Sequence, residues 1–437
     1  MSQHMSQHFD AIVIGTGQGG GPLGVKLAES GRRTAVIERH LFGGTCVNVG
    51  CTPTKTYVAS ARAAHVARHA GDYGVIVEGE VRVDLARVKA RKDEVIAGSR
   101  NGVEKWLRST PGVTVFNGHA RFTGAHSISV QGHDGQQHEL DADAIFINTG
   151  TRATVPEIDG LASISHLTNS TMLELTELPE HLAIVGGSYI ALEFAQMFRR
   201  FGSRVSVLVR GDRVLAREDK DFAEQIQKVM SREGVEFLFN TATSKVEPAG
   251  KGVRIVLKDQ KSIDASHLLF ATGRTPNTDD LGLDQAGIVL NKHGLIDVDG
   301  QFRTKAEGIW ALGDVNGRGA FTHTSYNDYE IIASNVVDGE TRSVDSRIMC
   351  YAVFVDPPFA RVGLSETDGF MKVLVDAGTK KILGAAMLGI EADEAIHTFI
   401  DIMNADAPYT TLQRAMHIHP TVSELIPTLL GMLKPLK

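Results

Sequence analysis

Cys46 and Cys51 are the residues of this chain best suited to do chemistry. They stand in Gly43-Gly-Thr-Cys-Val-Asn-Val-Gly-Cys-Thr-Pro-Thr-Lys55, between an apolar strand and a helix signal. On a regular helix, positions five apart differ by about 7.5 Å in rise. A relaxed disulfide wants its Cα atoms about 4.4–6.8 Å apart. The two sulfurs can therefore bond only across a distorted turn, for which Gly50 gives the freedom, and a distorted bridge is more easily reduced. Thr52 and Pro53 read as N-cap and first residue of the next helix. That puts Cys51 at a helix N-terminus, where a thiolate is stabilised, with Lys55 one turn on. A purely structural clip is the weaker reading, because so short a loop constrains the unfolded chain little. Zinc is weaker too, since it takes about four ligands and no second Cys pair or His pair stands near. Cys350, alone in the apolar stretch 348–355, reads as a buried structural thiol.

A second candidate lies far along the chain, in His417-Ile-His419-Pro-Thr-Val-Ser-Glu424. Pro420 biases His419 towards an extended backbone. Glu424 is spaced to hydrogen-bond one ring nitrogen of His419, fixing its tautomer and raising its basicity. Alone, such a pair is more often plain structure. Beside a thiol pair, which needs a proton carrier, it is a candidate base.

The elements that must position these groups are two copies of one pattern. Ala11-Ile-Val-Ile14 enters Gly15-Thr-Gly17-Gln-Gly-Gly20, helical spacing follows through Leu23, Leu27 and Ala28, and Thr34-Ala-Val-Ile37 ends at Glu38. Gly15 makes the turn, Gly17 admits a pyrophosphate and Gly20 lets helix pack on strand. The helix N-terminus offers amides and dipole to phosphates, and Glu38 can accept bonds from a ribose. The pattern returns at 181–210, where Leu182-Ala-Ile-Val185 enters Gly186-Gly187-Ser188-Tyr189-Ile190-Ala191 and Val205-Ser-Val-Leu-Val209 leads to Arg210. Ser188 stands where a second glycine is expected, and Arg210 stands where the first copy has an acid. An acid suits a free 2′-hydroxyl and a cation a 2′-phosphate. NADPH is accordingly expected over NADH, with Arg210 and Arg217 as contacts; a solvated surface arginine is the alternative. Two sites of opposite ribose character imply two dinucleotides.

The rest of the composition bounds the class. The chain has 437 residues, 42% hydrophobic, enough for two or three domains. A net charge of -7 argues against nucleic acid as the main partner. No apolar run reaches the roughly 18 residues of a membrane span, and no export leader opens the chain, so a cytoplasmic protein is expected. The repeated Met-Ser-Gln-His at the start looks tag-like and is set aside from the fold.

Together these segments resemble the class I pyridine nucleotide–disulfide oxidoreductases, which include dihydrolipoamide dehydrogenase, glutathione reductase and mercuric reductase. The resemblance covers nearly the whole chain. It implies an α/β fold with two Rossmann-like domains and a C-terminal α+β dimerisation domain. The FAD-binding domain would take residues 9–150 and 271–338, the NAD(P)-binding domain 151–270 and the interface domain 339–437. It further implies that Cys51 is the flavin-side sulfur and Cys46 the thiol that attacks substrate. Lys55 resembles the lysine near flavin N5, paired with Glu193, and Tyr189 the residue that covers the flavin until nicotinamide enters. Gly44, Thr45, Thr149, Gly150, Gly313 and Asp314 would join Gly15, Gly17, Gly20 and Glu38 at FAD. Gly186, Gly187, Tyr189, Ile190, Glu193 and Gly273, in Ala271-Thr-Gly-Arg-Thr-Pro-Asn277, would join Arg210 at NAD(P). His419 and Glu424 would serve the neighbouring subunit, which implies a homodimer with a shared active site.

Three departures bear on the substrate. Mercuric reductases carry a C-terminal cysteine pair, a tyrosine in place of His419 and, in many, an N-terminal metal domain; none is present here, although Val47-Asn-Val and Arg210 lean to that branch. No resident metal is expected. Ser365-Glu-Thr-Asp-Gly369 is abrupt, as if an interface helix and strand were missing near 367–369. The expected acceptor is a small-molecule or protein disulfide, a metal ion or another electrophile. The rivals are a dihydrolipoamide dehydrogenase running towards NADH and a flavin-bearing redox sensor, against which the His419–Glu424 pair speaks.

Overall fold

A computed structural model describes residues 6–363, 371–418 and 421–435. The chain divides into two compact units. The first comprises Met1–Thr56, Ala90–Thr154 and Gly273–Arg347, the second Tyr57–Lys89, Val155–Thr272 and Ile348–Lys437.

The first unit is built on strand β1 (Gln7–Ile14), helix α1 (Gly20–Glu29) and strand β2 (Thr34–Glu38). β1 lies between β2 and the strand Gln137–Ile147, parallel to both. The strands Val113–Phe122 and Ile309–Ala311 extend the sheet in parallel on either side. β1 is buried on both faces: Ile12 and Ile14 join one apolar cluster, while Ala11 and Val13 join another with Leu23, Leu27, Phe146 and Leu312. A parallel strand covered on both faces reads as a continuous apolar run, which is the form of this segment. β1 also starts earlier than its apolar core. Gln7 pairs with Leu140 and His8 with Asp141, and His8 Nδ1 sits 2.6 Å from Asp141 Oδ2. The tag-like residues set aside from the fold thus supply its first two ladder positions.

The two-cysteine segment folds as helix α2 (Gly44–Asn48) and helix α3 (Cys51–Arg68), followed by helix α4 (Leu85–Ser109). α3 begins at Cys51, one residue before the expected cap.

In the second unit a four-stranded parallel sheet runs His267–Phe270, His181–Val185, Arg204–Leu208 and Val235–Leu238. The helix Tyr189–Phe201 packs on it through Ala191, Leu192, Phe194, Ala195, Phe198 and Phe201, the i, i+3, i+4 spacing of one helical stripe. The same unit holds a three-stranded antiparallel sheet of Thr243–Ala249, Gly252–Leu257 and Ser262–Ala265, and a four-stranded antiparallel one of Cys350–Val353, Phe359–Gly363, Ile382–Leu388 and Met371–Val375, with Cys350 half-buried on its first strand. The Ser365–Gly369 connection lies outside the described residues. No helix among the described residues is long and apolar enough to cross a membrane.

Charged groups tie the four-stranded antiparallel sheet to the residues that follow the strand Arg204–Leu208 in the same unit. Tyr351 and Arg361 both bond to Glu218, and Lys372 Nζ lies 2.7 Å from Asp221 Oδ1 and 4.6 Å from the Phe222 ring centroid. Burial, then the Glu218 carboxylate, pushes the Tyr351 phenol up. Arg200 is the tightest case. Its Nε donates to Glu233 Oε2 at 2.7 Å, Nη2 to Glu233 Oε1 at 2.6 Å, and Nη1 to Asp356 Oδ2 at 2.6 Å, with the side chain 6% exposed. Removing the cation would strand two partly buried carboxylates, a cost of about 3–5 kcal/mol. Arg200→Met is therefore expected to lower unfolding stability by that order in a urea titration. The triple change with Glu233→Gln and Asp356→Asn should recover most of it.

Candidate active site

The thiols come first. Cys46 sits on α2 and Cys51 opens α3. Between them Val49 leaves the helical region at φ -142°, and a Cβ on Gly50 would stand 2.8 Å from Thr45 O. That close approach breaks what would be one straight helix and lets residues five apart meet. No disulfide joins the three cysteines; Cys46 and Cys51 are linked by a side-chain hydrogen bond. That bond, then burial, pushes the Cys46 thiol well above its usual range. The Cys51 sulfur is exposed and lies 3.1 Å from Thr322 Oγ1. Thr322 opens the helix Thr322–Val336, so this sulfur faces the positive end of a second helix. Thr322 went unread in the sequence, being 271 positions from its partner.

The first glycine turn lies in the same unit. Gly15 has φ +102°, and a Cβ there would meet Asn148 O at 2.4 Å; one on Gly20 would meet Gly15 O at 2.2 Å. Even Gly17 has no room, with Asn148 Oδ1 2.8 Å from its would-be Cβ. Asn148, also unread in the sequence, is the reason. Its Oδ1 accepts the Gly20 N–H at 2.9 Å and its Nδ2 donates to Leu312 O at 2.8 Å. Glu38 ends β2 with Oε2 accepting from Thr16 N at 3.0 Å and Thr16 Oγ1 at 2.5 Å, and Oε1 accepting from His40 N at 2.9 Å. A carboxylate offers about four lone-pair sites, so one is left for a ribose hydroxyl. A side-chain-free turn, a ten-residue helix behind it and an oriented acid fit a dinucleotide.

The other expected FAD residues fall on this unit as well. Gly44 has φ +61° and lies where a Cβ would come 2.8 Å from Gly17 Cα, while Thr45 is exposed. Thr149 Oγ1 donates to Asn277 O at 2.9 Å, and Asn277 N donates to Gly150 O at 3.0 Å. Asp314 Oδ2 accepts from Thr151 Oγ1 at 2.9 Å. Gly313 N donates to the buried Asp328 carboxylate at 2.8 Å, which is closed off by Arg347. Lys55 lies on α3 in this unit.

The second glycine turn is in the other unit. A Cβ on Gly186 would meet Ala271 O at 2.3 Å, and one on Gly187 would meet Val209 Cγ1 at 2.8 Å. Tyr189 and Ile190 are half-buried in the first turn of the helix that also carries Glu193, whose Oε1 accepts the Phe354 N–H at 2.9 Å. Arg210 and Arg217 are exposed just beyond the strand Arg204–Leu208, whereas Gly273, exposed with φ +126°, belongs to the first unit. Glu424 ends the short turn Val422–Glu424. His419 lies outside the described residues, so its pairing with Glu424 does too.

Known proteins carry the same pattern. The family described as "Pyridine nucleotide-disulphide oxidoreductase" matches residues 9–328, and its dimerisation domain matches 365–430. The probable pyridine nucleotide-disulfide oxidoreductase RclA of Escherichia coli K12 is 35% identical, covering 98% of this chain and 99% of its own. A mercuric reductase of Streptomyces lividans is 32% identical, over 96% and 94% of the two chains. A dihydrolipoyl dehydrogenase of Chlamydia trachomatis is 30% identical, over 96% of each. The structure of a Cu(II) complex of the HOCl-induced flavoprotein disulfide reductase RclA from E. coli superposes with a TM-score of 0.89 at 33% identity, over 98% of this chain and all of that one.

Asn148→Asp would set a carboxylate oxygen against Leu312 O in place of a donor. Such an unsatisfied buried contact costs about 1–3 kcal/mol, or about one to two orders of magnitude in affinity. The ratio of flavin to protein absorbance after dialysis is expected to fall accordingly.

Proposed function

We propose, for a chain that belongs to the pyridine nucleotide-disulphide oxidoreductases, FAD-dependent enzymes that use NAD(P)H and act on sulfur groups, that electrons leave through Cys46 and Cys51 to a disulfide acceptor. The observation that carries this reading is the bent α2–α3 segment, which sets the two thiols side by side with the Cys51 sulfur against Thr322.

FAD, when bound, takes hydride from the nicotinamide and passes an electron pair to sulfur. Gly15, Gly17, Gly20, Glu38, Gly44, Thr45, Thr149, Gly150, Gly313 and Asp314 are its proposed contacts. Gly186, Gly187, Tyr189, Ile190, Gly273 and Arg210 are those of the nicotinamide nucleotide, and Lys55 and Glu193 keep the roles that the resemblance gives them. Cys51 is the flavin-side sulfur, because it stands at two helix N-termini that favour its thiolate. Cys46 is the thiol that meets substrate. With its thiol pushed up by Cys51 and by burial, it holds its proton at neutral pH and needs a base to become a nucleophile. His419 is the proposed base, with Glu424 as the partner that the resemblance gives it. The match to a dimerisation domain over 365–430 supports a homodimer in which the partner subunit's His419 serves this site. Cys46 attacks one sulfur of the acceptor and a mixed disulfide forms. The first substrate thiol leaves in that step; Cys51 then attacks the Cys46 sulfur, expelling the second substrate thiol and closing the Cys46–Cys51 disulfide.

A thiophilic metal ion is the second acceptor, favoured by the likeness to a mercuric reductase and to a flavoprotein solved with Cu(II). The cysteine usage fits a reducing, cytoplasmic setting.

Anaerobic addition of one equivalent of NADPH is expected to raise a long-wavelength absorbance band in the wild type and not in Cys51→Ser. Equal bleaching of both proteins without that band overturns the assignment, and a screen of disulfides, Hg²⁺ and Cu²⁺ ranks the acceptors. The exposed Arg210 supports NADPH as donor. kcat/KM for NADPH is expected to exceed that for NADH by at least about tenfold, and Arg210→Glu to reverse the order, as loss of a charge-assisted phosphate contact worth about 1.5–3 kcal/mol requires.

A further inference from the structure

Asn48 lies between the two cysteines and is 9% exposed. Its Nδ2 donates to Phe42 O at 2.9 Å and Gly44 O at 2.9 Å, with Leu41 O at 3.4 Å. The last residue of α2 is thereby tied back to the carbonyls that precede and open that helix. Its Oδ1 accepts the Arg100 Nε–H at 2.7 Å. Only this orientation of the amide puts donors against carbonyls and an acceptor against a guanidinium. Arg100 belongs to α4, a helix of 25 residues that also reaches α3, where Arg91 Nη1 donates to Thr56 O at 3.0 Å. Both sides of the α2–α3 bend are therefore anchored to one long element, and the charge-assisted bond from Arg100 is the stronger kind.

These anchors have a redox consequence. Two thiols bond to each other more readily the higher their effective concentration, which depends on how firmly the backbone between them is held. The α2–α3 bend keeps Cys46 and Cys51 within hydrogen-bonding distance with no bond between the sulfurs. The reduced pair is thus already arranged for ring closure, and closing it costs little ordering. Whatever holds the bend favours the disulfide over the dithiol and makes the dithiol a stronger reductant.

We infer that Arg100, acting through Asn48, is a positioning residue that sets the redox poise of the Cys46–Cys51 pair. The inference rests on the reading of that pair as the electron exit. Arg100 touches neither sulfur in this role. It holds the Asn48 amide, and the amide holds the turn.

The test uses the FAD-loaded full chain with Arg100→Met and Arg100→Lys. The dithiol–disulfide equilibrium is titrated in dithiothreitol buffers by thiol counting. In Arg100→Met the equilibrium constant is expected to move about tenfold towards the dithiol, about 30 mV for a two-electron couple. Disulfide-reductase kcat should fall while KM for NADPH holds. NADPH oxidation by ferricyanide, which can take electrons directly from flavin, should stay at wild-type rate. Arg100→Lys keeps a cationic donor for Asn48 Oδ1 and should return most of the shift. If Arg100→Met does not fold, Arg100→Gln carries the same readout. A lowered melting temperature or flavin content with an unmoved equilibrium shows a merely structural arginine and overturns the inference. Cys46→Ser and Cys51→Ser are run alongside: if they retain disulfide-reductase activity, the reading of the pair itself has failed. If they lose it while the Arg100 equilibrium is unmoved, only the role of Arg100 has failed.

Discussion

The first unit depends on one carboxamide. Asn148 follows the strand Gln137–Ile147 directly, its own N–H donating to Ile14 O at 2.8 Å. Its side chain accepts from the start of α1 and donates to Leu312 O, beside the Gly313–Asp314 turn. Three stretches distant in the chain are thus held at one point at the C-terminal edge of the sheet, where an open α/β sheet binds its ligand. The same side chain fills the space that side chains at 17 and 20 would need. The glycines serve the packing of the protein on itself as well as the approach of a phosphate.

The second constraint is the interruption between α2 and α3. A continuous helix would carry the two sulfurs apart. A loose loop would bring them together only part of the time. The bend at Val49 and Gly50 does neither, because Asn48 and the approach of Gly50 to Thr45 O fix it from both sides. Reactivity here follows from backbone shape more than from nearby charge: the largest influence on Cys46 is the other sulfur.

Much of this was legible in the residues. Ala11–Ile14 and Leu182–Val185 announce buried parallel strands by their unbroken apolar runs, and the glycine turns after them announce the strand–turn–helix units that follow. What escaped is what local pattern cannot encode. Asn148 meets Gly20 across 128 positions and Leu312 across 164, so nothing near it in the sequence marks it as a hub. Gln7 and His8 are polar and sit in a repeat that resembles an appendage, yet the ladder to Leu140 and Asp141 needs only their backbones. The early start of α3 at Cys51 has a local cause instead: Thr54 N finds Gly50 O, so the helix is bonded one residue ahead of the Thr-Pro signal.

The Arg200 cluster has a consequence for how such a chain can change over generations. Three positions, 200, 233 and 356, share one buried charge balance. Losing Arg200 strands two carboxylates together, whereas a matched set of neutral residues strands none. Loss of the arginine must therefore proceed in concert with its partners or through a weakened intermediate, so the seam between the Tyr189–Phe201 helix and the loop at Asp356 should keep its cation for as long as it keeps both acids, while the surface around it varies freely.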